Sequence, residues 1–68
     1  MPQLERGTWT VAQDQGGRPL DGTLKALAGL TWSAARDAVR SGKVAIDGTV
    51  VLDPTTLVRR GEVLRIDP

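Results

Sequence analysis

The chain has no cysteine, no histidine, no phenylalanine and no tyrosine. Without cysteine there are no disulfides and no thiolate metal sites. Without histidine the commonest metal ligand and the usual neutral-pH acid–base group are missing. Neither a metal nor another cofactor is expected. With Trp9 and Trp32 as the sole aromatics, a sheet that stacks bases on several rings is excluded. A stacked base would have to use Trp32 or an arginine plane. No apolar run approaches the roughly 20 residues that cross a bilayer, and the opening MPQLERG lacks the cationic start and apolar stretch of a signal peptide. A soluble, cytoplasmic protein is therefore expected. Strong net charge is missing too: nine basic residues against eight acidic ones leave +1. Any attraction to a polyanion must come from the distribution of charge.

What is present fits one small domain. A chain of 68 residues buries only about 60% of the surface its unfolded form exposes, which leaves no room for a deep catalytic pocket. Residues 1–7 are polar and aperiodic and read as a tail; residues 8–68 read as the domain. Thr8–Ala12 has the β-branched and aromatic content of a strand, and Gln13–Pro19 reads as a loop. Leu20, Leu24, Leu27 and Ala28 recur at helical spacing, with Asp21 in the first turn and Gly29 as the stop. Gly22 in that first turn costs up to about 1 kcal/mol relative to alanine. Thr31 is placed to cap a second helix from Trp32 to about Ser41, ended by Gly42. Val44–Ile46 and Thr49–Leu52 flank Asp47-Gly48, a strong hairpin signal because both turn positions need positive φ. Asp53-Pro54 turns the chain away, Leu57-Val58 is a short extended piece, and Arg60-Gly61 turns into a closing strand carrying Val63, Leu64 and Ile66.

On the second helix Ala35, Ala38 and Val39 form the inward stripe. At about 100° per residue, Arg36, Arg40 and Lys43 fall on the adjoining stripe, with Trp32 between the two and Asp37 turned away. Lys43 lies past the helix end, so its place on that edge depends on the turn. Guanidinium groups fork onto phosphate oxygens and lysine offers a point charge. A solvated helix face is the plain alternative for these cations, and partial burial is the plain alternative for Trp32. Arg59 and Arg60 beside the last turn could extend a phosphate patch or simply keep the turn soluble; Arg18 and Lys25 are weaker candidates. Trp9 is expected to pack between the first strand and the helices. Asp21 is expected to cap or to ion-pair. Asp47, Asp53 and Glu62 lie in or beside turns, where a carboxylate serves backbone hydrogen bonds, so catalysis is not expected.

The ordered series Leu20-Asp21, Leu27, Leu30, Ser33, Ala35-Arg36, Ser41-Gly42, Val44, Ile46, Gly48, Val51, Pro54, Val58, Gly61 and Ile66 resembles the RNA-binding domain named after ribosomal small-subunit protein S-four, the αL motif. The likeness spans residues 20–66. The segment before it also looks like the one preceding this module in large-subunit pseudouridine synthases, where it positions RNA for a separate catalytic domain; a stand-alone heat-shock-type member is the other close likeness. The chain departs from the family pattern at Pro19 and Trp32, where arginine is usual, at Asp37, where a second basic residue is common, and at Asp47, where asparagine is usual. Each departure removes positive charge or adds negative charge.

The resemblance implies an α+β fold, with two short helices packed on a small, mainly antiparallel sheet of hairpin strands. It also implies a non-catalytic module docking its second helix and hairpin on structured RNA, ribosomal or stem-loop. Trp32, Ser33, Arg36, Arg40, Lys43, Arg59 and Arg60 are the expected contacts, made to phosphates and shape with little base readout. A monomer is expected. The alternatives are a protein-interaction module that reuses the fold, with Trp32 as an interface anchor, and the detached RNA-positioning domain of a synthase.

Overall fold

The computed structural model describes residues 6–68. In chain order it comprises β1 (Gly7–Thr10), a single 3-10 turn at Gln13–Gln15, α1 (Leu20–Ala28), α2 (Trp32–Arg40), β2 (Val44–Ile46), β3 (Thr49–Val50) and β4 (Val63–Ile66). The strands form one antiparallel sheet in the order β1-β4-β2-β3. This is the α+β arrangement expected from the sequence.

Alternation along the strands builds the core. Leu64 and Ile66 of β4, and Val44 and Ile46 of β2, face inward, whereas Val63 and Arg65 face out. Leu20 and Leu24 of α1 and Ala35, Ala38 and Val39 of α2 close over that face, joined by Val11 and Val58. Trp9 is half-buried against this cluster, as expected, and its ring folds back over Gly7.

The helix ends are set locally. Thr31 Oγ1 accepts from Ala34 N at 3.1 Å, the predicted cap. The free N–H groups at the start of α1 are met by the loop before β4: Leu20 N donates to Thr56 O (2.8 Å) and Asp21 N to Pro54 O (3.1 Å). That loop is thereby docked on the N-terminus of α1. At the end of α2, Gly42 takes φ 76°, Gly42 N donates to Val39 O, and Lys43 N donates to Ala38 O. These paired bonds form a Schellman closure. It reverses the chain directly into β2.

Three boundaries differ from the sequence reading. β1 begins at Gly7 and ends at Thr10, so Gly7 belongs to the sheet and not to a tail; Met1–Glu5 lie outside the described residues. α2 ends at Arg40, one residue early, because Ser41 serves as its C-cap. β3 stops at Val50 in place of Leu52. Asp53 Oδ1 accepts from both Thr55 N (2.9 Å) and Thr55 Oγ1 (2.7 Å), and this local turn pulls the chain off the sheet before a proline that has no N–H to pair.

Candidate nucleic-acid interface

The corner where α1 meets the start of α2 concentrates the most chemistry. Trp32 is the first residue of α2 and is 47% exposed. Arg36, one turn later, has its Cζ 5.7 Å from the indole centroid, and Lys25 of α1 has its Nζ 5.8 Å from the same ring. The first pair is the i, i+4 neighbour relation of a helix surface; the second crosses between helices. Each contact is worth about 0.5–1 kcal/mol at an exposed site.

Asp21 fixes one of these cations. Its side chain is buried in the first turn of α1, where Oδ1 accepts from Gly22 N (2.7 Å) and Oδ2 accepts from Arg36 Nε (3.2 Å). The expected ion pair of Asp21 therefore exists, and its partner is one of the expected RNA contacts. The Arg36 side chain remains 52% exposed, and its guanidinium donors other than Nε have no partner among the described residues.

Gly22 explains why the corner closes. A Cβ placed on it would lie 3.1 Å from Trp32 Cη2, so the indole rests on bare backbone of α1. The glycine that weakens helix propensity in the sequence is what lets the ring approach. Arg18, Pro19, Gly22, Lys25, Ala26 and Trp32 together line a shallow depression on this side of the molecule.

The remaining expected residues are distributed differently. Ser33 is exposed as the second residue of α2. Arg40 is exposed one turn beyond Arg36 and close enough to Asp53 to favour its ionised form. Lys43 does not continue the stripe: the Schellman closure swings it to the head of β2, where it borders a second depression with Gly42, Gly48, Val50, Arg65 and Asp67. Arg59 and Arg60 occupy the turn before β4, beside the Gly16–Gly17 loop; a Cβ on Gly16 would lie 3.1 Å from Arg60 N. Val58 N donates to Arg18 O at 2.9 Å, which brings Arg18 to the neighbourhood of that turn. Arg18 and Lys25, the weaker candidates of the sequence, are gathered about Trp32 by the fold.

The carboxylates are largely engaged by internal donors. Asp47 Oδ1 accepts from Val63 N (2.9 Å), Asp53 from Thr55, Glu62 from Arg59 N, and Asp67 Oδ1 from Arg6 Nε (3.0 Å). Asp53 titrates below the ordinary aspartate value: the Thr55 hydroxyl is the main cause and the Thr55 N–H the second, desolvation opposes them, and Arg40 adds the least of the lowering effects. Among the described residues, ion pairs involve only Arg6, Arg36 and Arg65 of the cations. Arg18, Lys25, Arg40, Lys43, Arg59 and Arg60 have none.

Set against known families, residues 18–64 match the S4 domain. No curated protein matches the chain.

Proposed function

The chain belongs to the S4 domain family of RNA-binding domains, and from that membership we propose that it docks α2 and the β2–β3 hairpin on structured RNA, ribosomal or stem-loop. Phosphates would be held by Arg36, Arg40 and Lys43, with Arg59 and Arg60 extending the patch, while Trp32 and Ser33 meet the RNA at the start of α2. Recognition would be of backbone position and shape, since the candidate contacts are mostly cations.

The observation that carries this reading is the asymmetry in how charges are used. A net charge of +1 looks too small for a polyanion ligand. Yet two carboxylates, Asp21 and Asp67, account for all the ion pairs, those of Arg36, Arg6 and Arg65, while six cations are exposed with no ion-pair partner among the described residues. Positive charge is thus left available at the surface where phosphates would approach, and counterion release can supply affinity there.

The test is an NMR titration of isotope-labelled protein with a structured ribosomal-type stem-loop at about 50 and 200 mM salt, a range over which phosphate contacts weaken steeply. Shifts along residues 36–43 and at the 59–60 turn that fade at the higher salt support the reading. A folded spectrum with no shift at low salt rejects it.

A second reading, the same fold used to hold a protein, is favoured by Val50 and Leu52, which are 56% and 61% exposed beside Gly42 at the hairpin. Salt-insensitive capture of a partner, or self-association that grows with concentration, would select it.

A further inference from the structure

Between α1 and the indole of Trp32 lies an open depression of about 280 Å³. We propose that it is a subsite for one unpaired nucleotide, whose base stacks on Trp32 and whose phosphate is held by Arg18 and Lys25. The proposal rests on the RNA reading above and adds to it a recognition of single-stranded nucleotide that phosphate-and-shape docking does not require.

The lining specifies the class of ligand. It offers two cations and no carboxylate; Asp21, next to Gly22 in the chain, is buried and turned onto Arg36. It also offers flat apolar surfaces, the half-exposed indole and the exposed ring of Pro19, over a floor at Gly22 with no side chain. Inorganic phosphate would satisfy the charge and leave the flat walls unused. A nucleotide satisfies both, because every base has a π-face and every nucleotide an anionic linkage.

The walls are held in place from behind. Val58 N donates to Arg18 O (2.9 Å) and Leu20 N to Thr56 O (2.8 Å), so the 54–58 loop braces Arg18 and Pro19 on both sides. The indole is set by contact with the Gly22 backbone.

The two cations on the indole have different freedom. Arg36 is anchored by Asp21, whereas Lys25 has no ion pair among the described residues and carries its ammonium on a flexible stem. An exposed ammonium–indole contact is weaker than a base–indole stack. An incoming base therefore takes the place of Lys25 on the ring, Arg36 keeps its position, and the released ammonium meets the phosphate of the same nucleotide.

The decisive probes are a short RNA hairpin with one bulged adenosine and the same hairpin with an abasic ribose at the bulge, each titrated into isotope-labelled full chain. The bulged hairpin is expected to bind roughly 5- to 150-fold more tightly, the range for one base–aromatic stack, and to shift the Trp32 indole signal. Trp32→Leu should abolish that difference between the two hairpins, Trp32→Phe should keep part of it, and Gly22→Ala, which pushes on the ring, should reduce it. Should Trp32→Leu fail to fold, the comparison of the two hairpins on the unaltered protein decides alone. Equal affinity for both hairpins, with shifts along α2, would overturn the nucleotide subsite and leave RNA docking standing. No shift with either RNA would overturn both. A glutamate-rich peptide that moves the Trp32 signal when neither hairpin does would assign the depression to a protein and sink the proposal.

Discussion

Arg36 Nε lies 3.2 Å from Oδ2 of Asp21, so a half-exposed guanidinium of α2 neutralises a buried carboxylate of α1. Removing only the cation strands the acid. Arg36→Met should destabilise the domain by about 1–3 kcal/mol, less than for a fully buried pair because the arginine is partly solvated. Asp21→Asn combined with Arg36→Met should recover part of the loss. Urea midpoints of the single and double variants measure this coupling; identical midpoints would show that the pair does not hold the two helices together.

Asp53 offers a pH test. Its folded pKa is depressed by Thr55, so its contribution to stability is present above the unfolded pKa and lost as pH falls through the folded one. Thr55→Val removes the hydroxyl, the largest cause, and should move the Asp53 carboxyl titration upward toward the ordinary 3.8. Carbon-detected NMR of the Asp53 side chain reads the midpoint directly. An unchanged midpoint would mean that the hydroxyl bond contributes little in solution.

At the hairpin, Asp47 and Gly48 have φ of 50° and 83°, and a Cβ on Gly48 would meet nothing within 4 Å. Gly48→Ala therefore carries conformational strain without a clash and should cost about 1–2 kcal/mol. Asp47→Asn should leave the unfolding midpoint alone, since asparagine tolerates the left-handed region and its amide oxygen can accept from Val63 N. The same change removes one negative charge from the hairpin and should tighten binding to a stem-loop at low salt. Weaker binding would count against the hairpin as part of the RNA face.

Neighbours on β4 should respond in opposite ways. Leu64 is fully buried whereas Val63 is 38% exposed. Leu64→Ala should cost about 2–5 kcal/mol, a large part of the 5–15 kcal/mol that holds a typical domain. Val63→Ala should stay within about 1 kcal/mol. Thermal melts followed by circular dichroism separate the two, and similar losses would contradict the inward–outward alternation of this strand.

The helices were legible because their caps are local: Thr31, Gly29 and Gly42 act on neighbours within a turn, and each sits where the spacing put it. The Asp-Gly turn was legible for the same reason. The end of β3 was not, because it depends on the side-chain bonds of Asp53 with Thr55, which composition does not announce. In the candidate site, helical spacing correctly joined Trp32 to Arg36. It could not place Lys25 on the same ring, give Arg36 to Asp21, or turn Lys43 toward Arg65 and Asp67, since all three relations cross between elements. Gly22 carried the signal that was available. A glycine inside a helix pattern marks a close approach, and the partner is the tryptophan that opens the next helix.

The sheet order places β4, the last strand in sequence, between β1 and β2. Before residues 63–66 join, β1 has no partner strand, and β2 with β3 is a lone two-stranded hairpin of the kind that is marginal in water. During synthesis the helices can form while the platform beneath them is still missing. A chain stopped short of Val63 would keep no smaller version of the sheet, and the α1–α2 corner would have nothing to rest on.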